Sequence, residues 1–191
     1  IRQGQEFYYR ENELVFSGRT LKLHLMDYHE HEDCPRTPRS DLINQAAHNI
    51  VDLRKERGIS MLALPLVLGG EAKDVATLNP YCARAYPPLF RLMQALTSES
   101  NMEVRECVHS LLGLGIGLTP SADDVMLGML YTFRKLGNNA PKSVDAFRLS
   151  ILDMCDTHTN KVSAAYLKSV ISGAHFERIE KVWRGLCGVE S

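Results

Sequence analysis

The stretch Gly113-Leu-Gly-Ile-Gly-Leu-Thr-Pro-Ser-Ala-Asp-Asp-Val-Met-Leu-Gly-Met-Leu130 decides how the chain folds. Gly113, Gly115 and Gly117 stand at alternate positions. Inside an ordinary helix each would lose ~1 kcal/mol against Ala, so the segment is expected to be a loop. Glycine also admits positive φ and lets a ligand come close to the backbone. Thr119 and Pro120 supply a cap and a first-turn proline for a helix that runs to Gly137. That helix carries Val125, Met126, Leu127, Met129, Leu130, Tyr131 and Phe133. It is apolar on nearly every side and is expected to be the buried centre of the fold.

Helical periods continue on both flanks. Ser100 and Glu103 fit a capping box, with Val104, Cys107, Val108, Leu111 and Leu112 forming a stripe behind them. Three more helices are expected after the centre: Pro141 to about Asp156, Lys161 to Ser172, and Phe176 to Leu186. Upstream, a stripe from Leu42 to Val51 reads as a helix, and Leu89 to Leu96 as a short one. Met61 to Leu68 is expected to be a strand or an extended loop. Asn79 to Pro88, with three prolines, is expected to be a connector. The first third differs. Glu13 to Phe16 and Leu21 to Met26, parted by Ser17-Gly18, look like paired strands, and Asp27 to Pro38 like a loop. The expected fold class is therefore α+β. A β-hairpin portion over 1–38 precedes a helical body over 39–191, and the two form one domain.

Composition narrows the function. The 191 residues are 45% hydrophobic and 24% charged, which excludes intrinsic disorder. Twenty-two basic against 23 acidic residues give a net charge of -1, so no general nucleic-acid footprint exists. No apolar run reaches the ~20 residues of a membrane span. The five cysteines are widely spaced with no C-x-x-C pair, which argues against a disulfide framework and for a reduced, cytoplasmic protein. The chain opens on Ile1 with no secretory signal and no initiator Met, and is expected to be part of a longer gene product.

A glycine loop running into a helix N-terminus offers free N–H groups and the positive end of a dipole to an anion. Asp123 and Asp124 follow in the first turn, where the dipole favours each by ~0.3–1 kcal/mol. They could move a proton, orient an amide, or hold a divalent cation such as Mg2+. The alternative is structural: a tight turn between packed helices followed by a capped helix with dipole-matched acids. No Lys follows the glycines, which excludes a Walker loop, and the spacing excludes a dinucleotide fingerprint.

Gly115-Ile-Gly-Leu-Thr-Pro-Ser-Ala-Asp-Asp124, continuing through Gly128-Met-Leu130, resembles the family of the small, AllH-type subunit of oxamate carbamoyltransferase. The family loop runs Gly-x-Gly-x-Gly-Leu-Thr-Pro-Ser-x-Asp-Asp, and each fixed position is present. A second block, Thr159-Asn-Lys-Val-Ser163 with Tyr166-Leu167 and Gly173-Ala-His-Phe176, resembles a further family segment. A later family motif of the type Gly-His-Thr-Ser-Gly-x-Asp is absent up to Ser191. The resemblance implies a subunit that helps exchange a carbamoyl group between oxalurate and phosphate, giving oxamate and carbamoyl phosphate, alongside partner subunits. Asp123 and Asp124 would then be catalytic. Gly113, Gly115, Gly117, Thr119, Ser121 and Ser163 would bind a small carboxylate or phosphate ligand. Of the two acids, Asp123 is expected to matter at least as much as Asp124, because it lies nearer the helix mouth. Either Asp→Asn change should cost no more than ~1 kcal/mol of stability.

Two other classes stay open. One is a non-catalytic module that binds a small anion or scaffolds catalytic subunits. The other is a metal-dependent hydrolase of a ureido compound, with Asp123 and Asp124 on the ion. His29, His31 and Asp33 could share a strand face as nickel or zinc ligands, but Pro35 and Pro38 favour a solvated loop. His158, Asp156 and Ser163 invite a triad, yet no Gly-x-Ser-x-Gly elbow accompanies them. His48, Lys161, Lys168, Lys181 and Arg184 read as ordinary solvated positions, and Cys107 as inert core.

Overall fold

The structure, a computed structural model, describes residues 7–10, 13–16, 19–22, 37–53, 59, 62, 63, 66 and 79–189. The chain divides into two units, Ile1–Asp33 and Cys34–Ser191. In the first, three four-residue strands pair antiparallel in sequence order: β1 (Phe7–Arg10), β2 (Glu13–Phe16) and β3 (Arg19–Lys22). Phe7 faces Phe16, and Leu14 faces Leu21. Residues 23–36, including His29, His31 and Asp33, lie outside the described residues.

The second unit is helical throughout its described residues: α1 (Ser40–Leu53), α2 (Pro80–Ser98), α3 (Asn101–Leu111), α4 (Ser121–Leu136), α5 (Val144–His158), α6 (Lys161–Ile171) and α7 (Glu177–Leu186). The α+β class expected from the sequence is therefore corrected. Among its described residues the second unit contains helices and no strand. The physical reason is that every long apolar stripe after residue 40 has the helical period, so helices can bury one another without a sheet.

Two further expectations change. Asn79 to Pro88 is no connector, because α2 runs straight through it. The Asn79 side chain accepts from the amides of Tyr81 and Cys82 at 3.0 Å, and Pro80 occupies the first turn, where no N–H is missed. Pro87 and Pro88 each remove one helical bond. The carbonyls left over belong to Ala83 and Arg84, both exposed residues. The buried stripe Cys82, Ala85, Leu89, Leu92, Ala95 and Leu96 outweighs that loss. Within 61–68, the described residues Leu62, Ala63 and Leu66 are helical, not extended.

The core lies where α2 packs on α3, α3 on α5, and α6 on both α4 and α5. Tyr131 and Phe147 are its largest fully buried side chains, followed by Leu62, Leu92, Leu111, Met126, Ile151 and Leu167. Met126, Leu130 and Tyr131 place α4 in that core, as its composition predicts.

A polar triad ties α4 to α7. The Tyr131 hydroxyl donates to Glu180, and Lys135 Nζ lies 2.8 Å from the same carboxylate. Burial opposes ionisation of Glu180, but the bonds from Lys135 and Tyr131 outweigh it and hold the carboxyl below its ordinary 4.5. A lowered folded-state pKa stabilises above pH 4.5, and that stability is lost as pH falls through the folded value. Glu180→Gln should therefore flatten the acid limb of the melting curve below pH 4.5. Tyr131→Phe should cost about 1 kcal/mol at neutral pH. Thermal melts stepped down in pH check both, and an unchanged acid limb in Glu180→Gln contradicts the assignment.

Candidate functional site

Between α3 and α4 the chain forms a loop at residues 112–120, as the glycine spacing predicts. Gly113 adopts φ +77 and Gly115 φ +138. Both are dictated by close approach. A Cβ on Gly113 would fall on the carbonyl oxygen of His158, and one on Gly115 on the amide of Ser121. These two glycines therefore serve packing: the first seats the loop on the α5–α6 corner, the second on the start of α4.

Helix α4 begins at Ser121, with Pro120 as its cap residue, one position later than the Thr-Pro pattern suggests. The Thr119 side chain is thereby released from capping and hydrogen-bonds to Asp124. The Ala122 amide donates to Leu114 at 3.0 Å, and the Asp124 amide to Pro120 at 3.1 Å. None of the amides from Gly115 to Thr119 donates to a backbone carbonyl among the described residues. The loop tip is an open rim: Ile116 is 71% exposed and Leu118 72%.

The two aspartates have different surroundings. Asp123 is 1% exposed. Its Oδ1 accepts from the Gly113 amide at 2.8 Å, and its Oδ2 from Ser163 Oγ at 2.6 Å and from the Thr159 hydroxyl. Both oxygens are engaged by the protein itself. Four segments meet on this carboxylate: the loop, α4, the α5–α6 corner and the first turn of α6. Asp124 is exposed at the surface beside the loop. Partial burial of its carboxyl, first of all, and the nearby Asp123 charge push its pKa above the ordinary 3.8. The Thr119 hydroxyl acts in the opposite direction.

The expected site residues thus sort into two groups. Gly113, Asp123 and Ser163 come together in one buried node, with Gly115 and Ser121 packed beside them. Gly117, Thr119 and Asp124 lie on the open side. Thr159 belongs to the node although sequence reading gave it no role. The signal available was its place just before Asn160, whose side chain caps α6 by accepting from Val162 and Ser163 at 3.0 Å.

The suggested triad does not form. Ser163 serves Asp123, Asp156 holds Lys168 at 2.6 Å, and the His158 ring packs edge-on against His109 at 4.6 Å. Arg184 is half-buried, not solvated. Burial pushes the thiols of Cys82, Cys107 and Cys155 up, which leaves them inert. Among the described residues no cluster of three or more His, Cys, Asp or Glu side chains is arranged to hold a metal ion. No helix among them is long and apolar enough to cross a membrane.

The family resemblance carried by these motifs holds over the second half of the chain. Residues 111–190 match the model of the family described as oxamate carbamoyltransferase subunit AllH. No solved structure matches the chain.

Proposed function

We propose, from the place of residues 111–190 in the oxamate carbamoyltransferase subunit family, that the chain acts as a subunit of a carbamoyltransferase complex. The reaction joins oxalurate and phosphate with oxamate and carbamoyl phosphate. The observation that carries this reading is the division of labour in the Asp123–Asp124 pair. Asp123 fixes the loop, and its neighbour stands at the open rim, hydrogen-bonded to Thr119 and with a raised pKa, beside amides that donate to no backbone carbonyl.

The chemistry asks for two things. A phosphate oxygen attacks the carbamoyl carbon of oxalurate, the bond from that carbon to the oxamate nitrogen breaks, and the nitrogen takes a proton. The carbamoyl oxygen gathers negative charge on the way, which N–H donors of the 115–119 rim would stabilise. In this reading Asp124 gives the proton, and in the reverse direction its carboxylate takes it. A divalent cation is not required by this reading, and Asp123, with both oxygens engaged, is a poor ligand for one. Burial of Cys82, Cys107, Cys155 and Cys187, with no C-x-x-C pair in the sequence, supports a reducing compartment such as the cytoplasm.

One open rim does not make a complete active site for two anionic substrates. The chain alone should therefore release no carbamoyl phosphate from oxalurate plus phosphate at enzymatic rates, and should do so with its partner subunits present. Unaided turnover of the purified chain contradicts the subunit reading. Within the assembled complex, Asp124→Asn should lower turnover by ~10²-fold or more. Its effect on stability has a definite sign. A raised folded-state pKa stabilises below 3.8 and loses that stability as pH rises through the folded value. Near neutral pH the variant should thus melt no lower than the parent apart from a small dipole term. Full activity with Asn at position 124 would favour the scaffolding alternative.

A further inference from the structure

The connection after α4 turns at Gly137–Asn139 and returns as α5 at Val144. Between this connection, the end of α4 and the end of α6 lies a cavity of about 390 Å³. It sits at the opposite end of α4 from the glycine loop, roughly 24 Å along a 16-residue helix. Its apolar side is made by Leu130, Phe133, Val144 and Ile171. Arg134, Lys142 and Arg148 also line it, against a single carboxylate, Asp145.

The three cations are well separated in sequence, and only the fold brings them to one hollow. Arg134 is preorganised. Its guanidinium donates to the Ala174 carbonyl at 2.9 Å and lies 4.8 Å over the Tyr131 ring. A guanidinium has five N–H donors, so further ones remain for a ligand. Lys142 reaches Glu99 at 3.1 Å and Arg148 reaches Asp145 at 3.5 Å, both in exposed pairs. Such pairs are weak and give way to a better-placed anion. The volume falls at the lower end of small-molecule sites, where an apolar wall with a few converging polar groups is the usual plan.

We propose that this cavity binds a small organic carboxylate with an apolar body, the carboxylate taken by Arg134 and Arg148 and the body seated on Phe133 and Ile171. The site is separate from the glycine loop and does not depend on the carbamoyltransferase reading. Arginine suits the head group because its planar fork matches a carboxylate.

Benzoate is the probe. Titrated into the ¹⁵N-labelled chain, it should shift the amides of Gly137, Val144 and Ile171 saturably and leave Gly117 unmoved. Benzylamine, of like shape and opposite charge, and inorganic phosphate, an anion with no apolar body, should bind at least ~10-fold more weakly. Lys142→Glu with Arg148→Glu should weaken benzoate by ~10-fold or more, on the usual scale for hydrogen bonds to charged groups. Lys142 is 82% exposed and Arg148 46%, and neither belongs to the buried core, so the fold persists. Arg134→Lys, which keeps the charge and loses the fork, should weaken it as well. Absence of saturation, equal affinity for benzylamine or phosphate, or benzoate binding indifferent to the double variant overturns the proposal.

Discussion

Gly113→Ala should lower the stability of the helical unit by about 2–5 kcal/mol, the sum of a left-handed backbone and an overpacked contact. The residue has φ +77, and the added Cβ would fall on the main-chain carbonyl of His158. Backbone cannot swing aside as a side chain can, so the α5–α6 corner must move away from the loop. Gly117→Ala is the matched control. It also has positive φ, at +100, but nothing lies within 4 Å of the new Cβ, so the cost should be only the conformational part, about 1–2 kcal/mol. Urea unfolding of the two variants under one set of conditions measures the gap. Equal losses would mean that the contact with His158 contributes nothing.

Asp123→Ala should be nearly as damaging, at about 3–5 kcal/mol, because it strands the Gly113 amide and the Thr159 and Ser163 hydroxyls around a buried void. Asp123→Asn should cost less, about 1–3 kcal/mol. The amide oxygen can still take the Gly113 N–H, and the hydroxyls can rotate to accept from the NH₂, but the charge-assisted strength is gone. Asp124→Ala, by contrast, should stay within about 1 kcal/mol. Helix position alone gives at most ~1 kcal/mol for either acid, with Asp123 mattering at least as much as Asp124 to activity; the buried bonds of Asp123 raise its stability cost well above that. Chemical unfolding of the three variants decides it. Matching losses for Asp123→Ala and Asp124→Ala would refute the node.

What could be read from the sequence and what could not follows from the range of the forces involved. The loop and the buried α4 are written in local terms, by glycine spacing and an unbroken apolar run, and both are present. α3, α6 and α7 likewise show their stripes, and their ends fall within a residue or two of expectation. The Ser100 side chain, however, makes no capping bond, so the capping-box pattern marked the right place for a reason the structure does not use. α2 was hidden because Pro87 and Pro88 are local signals against a helix, while the burial that overrides them is tertiary. The α+β expectation gave the short N-terminal pattern too much weight. Its three strands pair with one another and belong to the first of the two units, Ile1–Asp33. In the site, the motif was legible but the partition within it was not. Ser163 lies 40 residues from Asp123, and nothing in either segment states that they meet.

That separation bears on the order in which the protein assembles. The donors to Asp123 come from positions 10, 36 and 40 residues away in the chain. The nearest can be reached by a short loop, but the other two require α5 to be formed and α6 turned back before either hydroxyl arrives. Closing so long a segment costs chain entropy that only the packing of α5 and α6 can repay. The glycine rim is thus set late, after the helices around it have docked, and it inherits its shape from the completed core.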